Sequence, residues 1–182
     1  MTKIANYYFE MKIAIKKFVI LLVAVVILFL AGRIFLIYFT KTGIEASVQS
    51  MQHCCFETLN GELKYIDEFN SQNPNIIMYF HPECEHCQYE ASEFGKNQEL
   101  WGKANIIMIT PDTLTERIKI FAIQYHLIGI KNLVILLDRK NTFEHYFGTS
   151  IIPTFYIYGA DQKLIKKYSG ETKISAIINI IN

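Results

Sequence analysis

Ile76-Ile77-Met78-Tyr79-Phe80-His81-Pro82-Glu83-Cys84-Glu85-His86-Cys87 decides the fold, because an apolar run of strand length passes through a proline turn into a C-x-x-C. A dithiol at a strand-to-helix junction reads as a redox pair. If Phe80 ends a buried strand and a helix starts near Cys84, that thiol lies over unpaired backbone N–H groups and the positive end of the helix dipole. Both favour the thiolate, which is the nucleophile. In such motifs the first cysteine can fall from a pKa of about 8.5 into a range of roughly 3.5 to 7.5, and the second resolves the mixed disulfide. Cys84 is therefore the attacking thiol and Cys87 the resolving one. Glu85 and His86 tune the pair in opposite senses: a protonated His86 helps hold a thiolate, whereas Glu85, like Glu83, places negative charge beside it.

Zinc is an alternative, since His81, Cys84, His86 and Cys87 offer sulfur and imidazole ligands within seven residues. A closed structural site usually takes two separated ligand pairs, and the other candidates, His53, Cys54 and Cys55, are contiguous. Haem attachment requires histidine immediately after the second cysteine, and position 88 is Gln. Two incidental buried cysteines are the plainest alternative. Outside the cytoplasm, Cys54 and Cys55 are expected to be buried or to pair with another chain, since adjacent cysteines form a strained ring.

The 182 residues hold one domain and an appendage. From Phe18 to Phe39 the chain has 22 residues with a single charge, Arg33. At about 1.5 Å per residue this crosses a hydrocarbon core of about 30 Å, and Arg33, near one end, can snorkel. Lys3, Lys12, Lys16 and Lys17 precede the run and Lys41 follows it, which sets the N-terminus inside. A cleaved signal peptide has a shorter apolar region and a small-x-small site, and neither is present. The expected organisation is an N-terminal segment at 1–17, an anchor at 18–39 in the bilayer, a linker at 40–52 and a folded domain at 53–182. The chain is then a single-pass protein of the cytoplasmic membrane with its C-terminal domain extracytoplasmic, or periplasmic. The net charge of +1 gives no reason to expect nucleic acid as a partner.

The domain alternates element types. Asn60-Gly61 signals a hairpin, and residues 40–55 read as a linker with a lead-in strand. A helix from about 84 to 96 places Cys87, Ala91 and Phe94 on one face. A strand at 105–110 precedes Thr113-x-x-Glu116, a capping box for a helix with Leu114, Ile118, Phe121, Ala122 and Tyr125 at helical spacing. Further strands are expected at 133–137, 154–158 and 163–168, with a short helix near 141–147 and a last helix from about 172. The 24 Phe and Tyr residues, with Trp101, read as anchor and core. These parts make an α/β protein, a mixed sheet flanked by helices.

The order strand, C-x-x-C, β-α stretch, then Ile152-Pro153-Thr154 opening an antiparallel hairpin and a closing helix resembles the thioredoxin fold. The room for two strand-helix units between Cys87 and Pro153 is one more than a minimal thioredoxin carries. With the preceding hairpin and the anchor, this resembles the TlpA-like membrane-anchored thiol-disulfide oxidoreductases of the redoxin superfamily, which also holds the alkyl hydroperoxide reductase/thiol-specific antioxidant proteins. The resemblance covers about residues 50–182. It implies that Cys84 and Cys87 are the catalytic thiols, that Pro153 is cis and faces them between Ile152 and Thr154, and that Glu90 is an acid near the sulfurs. Three residues after Cys87 on a helix, Glu90 can exchange the proton of that thiol; otherwise it is solvated helix surface. His81-Pro82-Glu83 departs from the aromatic-rich lead of many members. His86 replaces a proline common before the second cysteine, and histidine there occurs in oxidising members such as DsbA.

The expected activity is reduction or exchange of disulfides in extracytoplasmic partner proteins, with electrons from a membrane donor or another thioredoxin-like protein. Glu85 and Glu90 disfavour a stable thiolate, which points to a reductant. No G-x-G-x-x-G is present, so no cofactor is expected beyond a Cys84–Cys87 disulfide, and no metal. The alternatives are a thiol peroxidase of the same superfamily, although residues 77–84 lack its Pro-x-x-x-Thr/Ser-x-x-Cys pattern, and a zinc-binding or redox-inactive tethered module.

Overall fold

Largely apolar runs at 75–79, 105–110 and 154–158 form strands buried on both faces in the computed structural model, which describes residues 2–69, 72–97 and 102–181. Trp101 lies outside the described residues. The chain divides into two compact units, Met1–Gly43 and Ile44–Asn182.

The first unit belongs to one helix, α1 (Thr2–Ser47). Within it, Ile15–Ile37 has a mean hydropathy of 3.0, so it is long and apolar enough to cross a bilayer. Residues 40–47, expected as linker, are helical instead, because α1 continues through Ser47. Gly43 costs a formed helix only about 1 kcal/mol, too little to stop its propagation. The lead-in strand reduces to a single bridge between Ser50 and Lys163, while Val48, Met51 and Cys54 insert into the core of the second unit.

In that unit β1 (Cys55–Thr58) and β2 (Leu63–Tyr65) form the expected hairpin, with Gly61 at φ 87° and Thr58 Oγ1 accepting from the N–H groups of Asn60 and Glu62. Then follow β3 (Asn75–Tyr79), α2 (Glu85–Lys96), β4 (Asn105–Thr110), α3 (Thr115–Gln124), β5 (Leu133–Leu137), α4 (Phe143–Phe147), β6 (Thr154–Tyr158), β7 (Leu164–Ser169) and α5 (Ile174–Ile181). The sheet order is β2-β1-β5-β4-β3-β6-β7. β3, β4 and β5 are parallel neighbours, and β6 lies antiparallel on the other side of β3. Because both parallel connections advance in one direction, right-handed crossovers put α2 and α3 on the same face.

Strand alternation then splits the core. Ile76, Met78 and Phe80 pack with Cys87, Ala91 and Phe94 of α2, Phe121 of α3 and Ile177 of α5. Ile77 and Tyr79 face the other way, where Tyr79 stacks on Phe143 at 3.9 Å between ring centroids and Phe143 on Phe147 at 4.3 Å.

Two local expectations for α3 are corrected. Thr113 does not form a capping box, because Asp112 Oδ1 takes the N–H of Leu114 at 2.9 Å and the helix begins at Thr115 without a side-chain cap. An aspartate two residues before the amide closes a tighter ring than a threonine reaching to N3. Leu114, outside the helix, is 57% exposed, while Ile118, Phe121 and Ala122 are buried as their spacing implies.

Gly95 is where α2 meets the end of α3. A methyl group there would lie 2.1 Å from the backbone oxygen of Tyr125. Gly95→Ala therefore has to push the two segments apart, and we expect a loss of about 2 kcal/mol in urea unfolding despite the better helix propensity of alanine. An unchanged midpoint would show that the segments separate freely.

Candidate dithiol site

The register of β3 with β6 builds the site. Tyr79 pairs with Thr154, so the C-terminal end of β3, from which the chain runs to the cysteines, lies beside the start of β6, where Pro153 stands. The Ile152–Pro153 bond is cis. Thr154 Oγ1 donates to the carbonyl of Ile151 at 2.7 Å, and half-buried Ile152 packs against both halves of the core.

Between Phe80 and α2 the turn is tied by Cys84 N–H to the His81 carbonyl at 3.1 Å and by the Gln88 amide to the Pro82 carbonyl at 2.8 Å. Cys84 is the N-cap of α2, in extended conformation, and its Sγ accepts the N–H of Cys87 at 3.4 Å. A sulfur thus occupies the place usually held by a serine or aspartate oxygen, where a negative charge is best tolerated. Cys84 is half-buried, Cys87 fully buried, and both are free thiols. Burial, foremost, together with Cys84 and the charge of Glu90, pushes the Cys87 thiol well above the ordinary cysteine range.

Glu90 is completely buried one turn below Cys87, so the solvated-surface alternative does not hold. Its Oε1 accepts the N–H of Thr172, and its Oε2 is buried without a partner among the described residues. Desolvation, opposed by the Thr172 bond and reinforced by Glu171 and Glu93, raises its pKa to about 7. Glu85 is exposed in the first turn, and His86, also exposed, brings its Nδ1 to 2.7 Å from Glu171 Oε2. Among the described residues no group of three or more His, Cys, Asp or Glu is placed to hold a metal ion.

Sequence reasoning did not reach Arg117. From α3 it contacts buried Asp112 through Nε and Glu83, beside the first cysteine, through Nη1. Burial alone would raise the Asp112 carboxyl, but Arg117 and the Leu114 N–H outweigh it and hold the group below its ordinary value. The pair Asp112–Arg117 carried only a weak local signal, and Glu83–Arg117 spans 34 positions. A depressed carboxyl pKa stabilises the fold above the unfolded value and loses that effect as pH falls through the folded one. Arg117→Met is expected to lower the thermal midpoint by several degrees at pH 7, with the deficit shrinking under acid as Asp112 protonates. A pH-independent deficit would mean that lost packing, not the charge pair, is responsible.

The mixed sheet, the flanking helices and the cis-proline strand beside the C-x-x-C define a thioredoxin fold, with one more strand-helix unit between α2 and β6 than the minimal fold carries. No family model and no curated protein matches the chain. Among solved structures, it is similar to a secreted Mycobacterium tuberculosis disulfide oxidoreductase homologous to E. coli DsbE, at 16% identity and a TM-score of 0.61, over 75% of this chain and 96% of that one. StoA from Bacillus subtilis aligns at 14% identity and 0.58, over 74% and 99%. Peroxidoxin BcpB from Mycobacterium tuberculosis aligns at 16% and 0.61, over 72% and 93%.

Proposed function

We propose that this chain is a membrane-tethered thiol-disulfide oxidoreductase acting on disulfide-containing extracytoplasmic proteins. The observation that carries it is the pairing of an accessible sulfur at a helix N-cap with a second, fully buried sulfur one turn on, at the end of the sheet where Pro153 stands. Cys84 as thiolate attacks a client disulfide, forming a mixed disulfide and releasing one client sulfur, which takes up a proton. Cys87 gives its proton to Glu90, attacks Cys84 Sγ and expels the second client thiol. The client gains two electrons and two protons, and the chain is left with a Cys84–Cys87 disulfide that a membrane donor or a second thioredoxin-like protein must reduce. The redox group is the sulfur pair itself, with no further cofactor. Between the sulfurs, Glu85 and His86 tune the pair through their charges.

The favoured direction is reduction, since burial, foremost, together with Cys84 and the charge of Glu90, opposes accumulation of thiolate on Cys87. The apolar segment of α1 supports an anchor across the cytoplasmic membrane, with the lysine-rich end inside and the domain outside. Insulin-disulfide reduction by the full chain in detergent, compared with Cys84→Ser, tests the reading. Likeness to a peroxidoxin favours thiol peroxidase as the second reading, with Cys84 attacking peroxide and Cys87 resolving the sulfenate. Peroxide consumption measured alongside separates the two.

A further inference from the structure

Three consecutive residues before α5 each hold a different part of the site. The N–H of Gly170 donates to the Pro153 carbonyl at 2.8 Å, Glu171 binds the His86 ring at 2.7 Å, and the N–H of Thr172 donates to Glu90. Of these three contacts, that of Glu171 is made by a side chain, and it reaches into the dithiol motif itself. Building on the oxidoreductase reading, we propose that Glu171 is a positioning residue that fixes the imidazole of His86, the residue preceding Cys87 in the motif, and so sets the redox equilibrium of Cys84 and Cys87.

The geometry supports a specific role. His86 lies in the first turn of α2, and its ring is 68% exposed, so without a partner it would sample several rotamers. A carboxylate at hydrogen-bond distance from Nδ1 selects one, and fixes which ring nitrogen faces away from Glu171. Glu171 is also among the charges that raise the Glu90 carboxyl, so one side chain touches the ring within the motif and the field at the acid beneath it. Neither partner is buried, so their removal does not endanger the core.

The test equilibrates the full chain in detergent with glutathione buffers of graded composition. The dithiol passes two electrons and two protons to glutathione disulfide, giving the Cys84–Cys87 disulfide and two glutathione thiols. The oxidised fraction is read from the mass of the peptide bearing both cysteines after alkylation. Glu171→Gln is expected to shift the equilibrium constant by about three-fold in the otherwise unaltered chain, the scale of an exposed ion pair, and by less than about 1.5-fold in a His86→Ala background. Equal shifts in the two backgrounds, or none in the first, overturn the proposal while leaving the oxidoreductase reading intact. A pair that never oxidises at any glutathione ratio overturns both.

Discussion

Full-length protein carrying Cys84→Ser is expected to reduce insulin no faster than the background, whereas the Cys87→Ser protein is expected still to attack and to stall as a mixed disulfide with its client. The difference follows from where the sulfurs sit. Cys84 is half-buried and receives an N–H on its Sγ at the head of α2, so it is the sulfur a client can reach. A serine hydroxyl there stays protonated and cannot open a disulfide. Cys87 is fully buried behind it, out of a client's reach, but one turn from the bond it must break. Its attack is intramolecular, and well-placed groups gain effective concentrations of about 10⁵ M or more, so resolution normally outruns loss of the intermediate by other routes. Removing it leaves Cys84 linked to the client, visible as a reductant-sensitive band on non-reducing gels. Wild-type rates in the Cys84→Ser protein would end the oxidoreductase reading, and a peptide-mapped adduct on Cys87 would reverse the two roles.

What the sequence made legible was the part governed by short-range pattern. Apolar runs gave β3, β4 and β6, Asn60-Gly61 gave the hairpin, and the spacing of Cys87, Ala91 and Phe94 gave the buried face of α2. The dithiol and Pro153 could be matched because the thioredoxin order of elements brings them together at the ends of β3 and β6. The remainder depended on residues far apart in the chain. Whether Glu90 met water or protein was decided by Thr172, 82 positions away, and the partner of His86 stands 85 positions away. Helical spacing could put Glu90 beneath Cys87, but could not say that the loop before α5 covers it. At Thr113 the failure was local: two polar side chains competed for the start of α3, and the aspartate's shorter loop won. Near residue 40 the apolar run ends but α1 continues through Ser47, since hydropathy and helicity stop for different reasons.

Glu90→Gln is expected to remove a pH dependence of stability that runs opposite to ordinary acid denaturation. The Glu90 carboxyl titrates near 4.5 when solvated and at about 7 in the fold, chiefly because burial disfavours its charge. Between those values the folded state binds more protons than the unfolded state, so stability falls as pH rises through the window and levels off above it. At about 1.36 kcal/mol per pKa unit the drop is on the order of 3 kcal/mol. Urea unfolding of wild type and Glu90→Gln at pH 4.5, 6 and 8 measures it as a difference between two curves, which cancels the other titrating groups. The glutamine side chain can keep the hydrogen bond from Thr172 but has no proton to lose. The same substitution is expected to slow release of the mixed disulfide once the pH passes about 7, where ionised Glu90 would otherwise accept the proton from Cys87, and to shift the pH profile of Cys84 alkylation. Parallel unfolding curves would place the Glu90 carboxyl at its solvated value in the fold, and an unshifted alkylation profile would remove it from the proton path, leaving Cys87 to lose its proton directly to solvent or to the departing client thiolate.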